Sequence, residues 1–353
     1  MRILYPKVPA QRQRLSGANA TGCILAGSVE RVSMSNLTES RRAFLGRMTA
    51  AGGFCALSGG FPELLAQVAP NWKNQIGLEL YTVRNLLNQD YEGVLSKVAA
   101  MGYKEVEPAD PYNKMEPAQY KALLDKYGLK MYSTHSGVND GPDLEKQLEG
   151  QRLMGIKYTD IRAPRPAAAP AGGGAGRGQG GGQPRSVESV KRSCAQMNKY
   201  GAVLQKFGMK YHIHNHAGEF DLLDDGKTNQ YDVFLAETDP AVVALQIDIG
   251  WAYMAGQDVM QMFRKHPGRY ELWHVKDAKY KQADPKLTPS ARARASQIVA
   301  MGEGDIDYKT LFANARLAGL KYFVIEQDTA GQGGRDALED CRIAYQNLFR
   351  ILS

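Results

Sequence analysis

From residue 76 onward, short β-rich runs alternate with stretches patterned for amphipathic helix, and no other feature of the chain restricts its fold as strongly. The β-rich runs are IGLELYTV (76–83), YKEVEP (103–108), LKMYSTH (129–135), IKYTDIRA (156–163), MKYHIHNHA (209–217), VVALQIDIGW (242–251), YELWHVKDA (270–278) and YFVIEQD (322–328). Between them, YEGVLSKVAAMG, PAQYKALLDKYG, LEKQLEGQRLMG and YKTLFANARLAG carry apolar residues at three-to-four spacing and end on Gly102, Gly128, Gly155 and Gly319. A longer segment of the same kind ends on Gly208. Glycine is the residue that accepts the left-handed conformation closing a helix, so these positions read as helix stops. DVFLAETD, DVMQMFRKHPG and DALEDCRIAYQNLFRIL supply the remaining helical patterns.

Alternation of this kind demands a parallel sheet, because each helix must carry the chain back to start the next strand in the same direction. Eight such units predict a single (β/α)8 TIM barrel over residues 70–353. A doubly wound open sheet would carry a glycine-rich phosphate turn after its first strand. Here that strand runs into YTVRNLL. One segment departs from the pattern: APRPAAAPAGGGAGRGQGGGQPRS (163–186) lacks the apolar residues to build a core and reads as a disordered insertion between the fourth strand and its helix.

Residues 1–69 read as an N-terminal extension with an address. SRRAFLG (Ser40–Gly46) precedes the weakly apolar MTAAGGFCALSGG, a pattern that resembles a twin-arginine export signal, with cleavage near Ala66–Ala69 and a true start at Met34. The expected location is periplasmic. The net charge of +7 suggests a polyanion partner until it is located: residues 1–69 hold eight Lys/Arg against three acids, so the body is close to neutral. No nucleic-acid partner is expected. No apolar run is long enough to span a membrane in the mature form. Of the four cysteines none forms a CxxC pair, and Cys194 and Cys341 lie in helical patterns as buried free thiols.

In a (β/α)8 barrel the chemistry sits where the strands end. Those ends offer Tyr81 and Arg84, then Glu107, His135 and Asp160. They continue with His214, His216 and Glu219, then Asp248, then His274, Lys276 and Asp277, then Glu326 and Asp328. Ionisable groups inside a barrel are costly unless paired or bound to a metal, so their number points to a site. Asp, His and Glu from successive strands suit one divalent ion of mixed N/O preference, Mn, Co or Zn. His212, deeper along the fifth strand, reads as a hydrogen-bonded core histidine.

LELYTVR, GYKEVEP, HNHAGEF, LQIDIGW, ELWHVKD, MGEGDIDYKTL and VIEQD together resemble the sugar phosphate isomerase/epimerase family, with its xylose isomerase-like barrel. The resemblance implies one divalent metal held by Glu, Asp, His and Glu on the last four strands. Asp248, His274 and Glu326 carry over directly. On strand five many relatives read Glu-Asn-His where this chain has His214-Asn215-His216, so the fourth ligand is His214 or Glu219. The implied chemistry is proton abstraction next to a carbonyl, with Glu326 as ligand and acid/base and with Glu219 or His216 opposite. Tyr81, Arg84, Glu107, His135, Trp251, Lys276 and Asp277 would line the sugar. An epimerase or lyase on an unphosphorylated or 3-keto sugar or glycoside is expected, in a chain able to form a homo-oligomer. The alternative is a non-catalytic sugar-binding or accessory protein on the same barrel.

Overall fold

The structure, a computed structural model, describes residues 71–163, 185–280, 284 and 286–353. The export signal, and all of the glycine-rich insertion but its edges, lie outside the described residues.

A parallel seven-stranded sheet forms the barrel wall. Its strands run, in spatial order, Glu105–Glu107, Gly77–Glu79, Tyr322–Ile325, Leu272–Val275, Val243–Asp248, Lys210–His214 and Tyr158–Thr159. The segment 130–133 closes the ring, bridging Glu105 through Lys130 and Tyr158 through Ser133. This eighth stave, expected as a full strand, makes only those two parallel bridges. The chain is therefore a (β/α)8 barrel.

The side-chain period of two sorts each strand into an inner and an outer set. Outward, the fully buried Trp273 lies between Phe263 and Phe312, with ring centroids 5.1 and 5.2 Å away. Truncating it to alanine would cost about 3–5 kcal/mol through the cavity left behind. Inward, Ala244 and Leu272 meet Tyr158 in a small apolar layer near the barrel base. Two residues further along the same strands, Gln246 and His274 point inward, and two further again come Asp248 and Lys276. The interior thus changes from apolar to ionisable along its axis.

The helix stops behave as their sequences require. Gly102, Gly128, Gly155, Gly208 and Gly319 all have φ between +66° and +110°. At Gly319 a Cβ would also lie 2.7 Å from the Gly268 backbone, so no other residue fits there without movement. Two stretches differ from expectation. YKTLFANARLAG breaks into Tyr308–Ala313 and Ala315–Ala318 at Asn314, whose side chain donates to the Thr310 carbonyl and competes with the helix for backbone groups. IKYTDIRA divides at Asp160: its second half, Ile161–Arg162, leaves the barrel to pair with Val138–Asn139. A helix, Pro289–Ala295, and an antiparallel ribbon of Asp277–Lys279 with Gln297–Val299 fill a region without a clear sequence pattern. Cys194 and Cys341 are free and buried. Among the described residues, no helix is long and apolar enough to cross a membrane.

Candidate active site

His214, Asp248, His274 and Glu326 converge at the C-terminal end of the barrel, their donor atoms all within 4.8 Å of one another. Strand register brings them together. Asp248 is the register partner of His274 on the neighbouring strand, and Glu326 follows the strand on the other side of His274. Asp248 also caps the helix Ile249–Met254, its Oδ1 accepting the Trp251 N–H at 2.8 Å. That leaves Oδ2, buried and without a hydrogen-bond partner, aimed into the group. It lies 4.0 Å from His214 Nε2 and 4.0 Å from His274 Nδ1. Two imidazoles and two carboxylates, with a buried oxygen that accepts no directed hydrogen bond among them, fit a divalent cation of the Mn, Co or Zn kind.

Around these four lies a dense charge network. His274 donates from Nδ1 to Glu326 at 2.7 Å and from Nε2 to Glu107 at 2.8 Å. Burial disfavours an imidazolium there, but the Glu107 and Glu326 carboxylates outweigh it and raise His274 well above its ordinary value. Glu107 also accepts from Gln246 Nε2 at 2.8 Å and from the Ser133 hydroxyl, and lies 3.1 Å from His135 Nε2. Burial would raise Glu107; His135 and His274 hold it below its usual range instead. Next to it sits Glu79, fully buried with neither oxygen hydrogen-bonded, which burial and the Glu107 charge raise well above the usual carboxylate range. Lys276, fully buried, completes the network. Its Nζ is 2.9 Å from Asp248 Oδ2, 3.0 Å from Glu326 Oε2 and 2.6 Å from Asp328 Oδ2. Burial raises Asp248 to about 6, against the pull of Lys276. Glu326, also raised by burial, is driven below its usual range by Lys276 and His274.

Several residues stand elsewhere than their sequence context suggested. Glu219 lies outside the converging group: its short turn, Gly218–Phe220, folds the carboxylate back so that Oε2 accepts the His216 backbone N–H at 2.8 Å. Of the two candidates for fourth ligand, only His214 stands within the group. Asp277 is turned away from the site and accepts backbone N–H groups of Gly302 and Gly304 at 2.9 Å each, anchoring the MGEGDID loop. Glu107 is fully occupied by protein partners, so it orients rings rather than gripping a sugar hydroxyl. Arg84 stacks on Tyr81, 4.0 Å from the ring centroid, and donates to the Tyr81 and Asp328 carbonyls. His212 is buried, but its Nδ1 has no hydrogen-bond partner, and burial lowers it to about 4.

His135 and His216 flank His214, each ring 4.9 Å from it. His216 also faces Trp251 at 5.5 Å, and Lys276 Nζ lies 5.1 Å over the Trp251 ring. Burial holds His216 neutral, at about 4. His135 is raised instead, because Glu107 outweighs its burial. Sequence reading missed Glu79 and Ser133, and treated Gln246 only as a marker of strand parity. For Glu79 the signal was available: a carboxylate at an inward position of the strand Gly77–Glu79, between apolar neighbours.

A family model described as xylose isomerase-like TIM barrel matches residues 95–346. Inosose dehydratase of Geobacillus kaustophilus (strain HTA426) is 24% identical over 266 residues, covering 71% of this chain and 81% of the relative. A sugar phosphate isomerase/epimerase from Parabacteroides distasonis ATCC 8503 superposes with a TM-score of 0.57 at 19% identity, covering 78% of this chain and 98% of that one. The IolI protein, solved with a zinc atom, superposes with a TM-score of 0.53 at 13% identity over 79% of this chain and 98% of its own.

Proposed function

This chain belongs to the xylose isomerase-like TIM barrel family, and on that premise we propose that it is a divalent-metal-dependent enzyme of the lyase or isomerase type acting on a keto sugar. The carrying observation is the convergence of His214, Asp248, His274 and Glu326, with the buried Asp248 Oδ2 free of directed hydrogen bonds, at the end where barrel enzymes do chemistry. The relatives named inosose dehydratase support a lyase on a cyclic keto sugar, and the zinc in IolI supports a metal. A cation held by these four residues would polarise a substrate carbonyl and so acidify the neighbouring C–H.

The chain's own residues supply the rest. Glu107, fixed by Gln246 and Ser133, holds His274 by Nε2 and turns Nδ1 toward Glu326 and Asp248; such orienting carboxylates set the direction of ligand rings. His216, neutral and with a free Nδ1, stands beside the ligand group as the acceptor for the substrate proton. His135, whose burial is outweighed by Glu107 so that it is raised above its ordinary value, lies 4.9 Å from the His214 ring and would be the donor to a departing hydroxyl. Loss of that hydroxyl gives a dehydratase; return of the proton without loss gives an epimerase. Trp251 offers a face for the sugar ring. Lys276 and Arg84 are both committed to protein oxygens, which favours an unphosphorylated substrate. Export through the signal at Ser40–Gly46 favours the same class, since it would deliver the folded, metal-loaded enzyme to a compartment of free sugars.

The test is metal analysis of the purified protein, followed by incubation with inososes and 3-keto-glycosides in D2O. One equivalent of Mn, Co or Zn and deuterium entering next to the carbonyl are expected, with both lost in His274→Ala. A metal-free protein that catalyses no exchange after supplementation would overturn the reading. Cell fractionation tests the export reading, with the mature protein expected in the periplasm.

A further inference from the structure

Lys276 is an unusual neighbour for a metal site. Its ammonium is fully buried and touches the two carboxylate oxygens, Asp248 Oδ2 and Glu326 Oε2, that face the ligand imidazoles. Asp248 has no other oxygen to offer, since Oδ1 is held by the Trp251 N–H. Neither Lys276 Nζ nor Asp248 Oδ2 makes a well-directed hydrogen bond, so the ammonium sits in the cradle as a charge at contact distance. A third carboxylate, Asp328, lies 2.6 Å away from the ammonium and outside the four-residue ligand group. The backbone of Lys276 is anchored, its carbonyl accepting the Tyr308 hydroxyl at 2.8 Å, while the long side chain retains its rotatable bonds.

We infer that Lys276 is a built-in competitor for the divalent cation: in the metal-free protein its ammonium neutralises Asp248 and Glu326, and metal binding drives it off those two carboxylates, leaving Asp328, already 2.6 Å away, as its partner. The inference rests on the metal-site reading above. Two like charges cannot share one dry set of oxygens, because the low local dielectric magnifies their repulsion. Without some cation, however, buried Asp248 and Glu326 would repel each other across the barrel. Lys276 lets the empty site fold at low cost and weakens metal binding in return. Asp328 makes the exchange reversible, because it gives the displaced ammonium a partner that is not a ligand.

The two residues therefore predict opposite signs. In the full-length protein, stripped and titrated with Mn, Co or Zn against a chromophoric chelator, Lys276→Met is expected to bind metal at least tenfold more tightly than wild type. Asp328→Asn is expected to bind at least tenfold more weakly. Metal-free Lys276→Met should melt below wild type and regain more on metal addition. If wild type binds metal and Lys276→Met binds it equally or more weakly, Lys276 supports the site and the competitor role is overturned while the metal reading stands. If Lys276→Met does not fold, unchanged affinity in Asp328→Asn overturns the inference. If neither wild type nor Lys276→Met binds any of the three ions, both readings fall together.

Discussion

The strand Leu272–Val275 is bracketed by two charged clusters of similar composition and opposite character. Before it, Glu271 accepts from Lys210 at 2.6 Å, from Lys321 at 2.8 Å and from the Tyr158 hydroxyl at 2.9 Å. Both lysines keep partial exposure, 24% and 52%, so their charges remain hydrated. After it, Lys276 faces three carboxylates with no exposure, and oxygen and nitrogen atoms there lack directed hydrogen bonds. The base cluster is paired and complete. The other holds buried charge whose atoms lack directed hydrogen bonds, and that contrast is what the metal proposal rests on. Composition alone would not separate them; the count of unpaired atoms does.

The largest expected effect breaks the comparison at the ligand end. Glu326→Gln and His274→Ala should each abolish metal retention and lower turnover by about a thousandfold or more. Metal analysis and steady-state rates check this, and chelation of wild type should reproduce the loss until metal is restored. If either variant keeps both metal and rate, the ligand cluster is as structural as the base one.

A second effect sharpens the contrast within the base. Glu105, on the strand shared with Glu107, is buried, and burial raises it to about 8 despite the Lys130 charge. Because the folded state prefers it neutral, its contribution is intact below about pH 4.5 and is lost as pH rises toward 8. Glu105→Gln should thus be more stable than wild type near pH 8, by up to about 4 kcal/mol, with the gap vanishing below pH 4.5. Urea melts across this range measure it. Glu271 runs the other way. Burial would raise it, but the Lys210, Lys321 and Tyr158 contacts lower it, so its stabilisation is present at neutral pH and lost in acid. Glu271→Ala should cost about 1–3 kcal/mol at pH 7 and leave metal affinity unchanged. The smallest effect belongs to Asp277→Asn, about 1 kcal/mol or less, seen as faster amide exchange at Gly302 and Gly304 with the metal retained.

The barrel was legible because alternation and glycine stops are local properties. Asp248, His274 and Glu326 were legible as strand-end residues, since a period of two tells which side chains point inward. The rest was not. His214 and Glu219 lie five residues apart, and nothing in HNHAGEF shows that a short turn folds the carboxylate back onto its own backbone. Lys276 and Asp277 are adjacent, yet one points into the carboxylate cradle and the other into a loop 25 residues downstream.

Period, propensity and stop signals act over a few residues, so the chain's order alone determined the eight-unit barrel and which end of it carries chemistry. Partner choice among buried charges acts across strands far apart in sequence. The assignment of Glu107 to His274, the exclusion of Glu219 from the ligand group and the placing of Lys276 among three carboxylates depended on register and burial, which only the closed barrel creates.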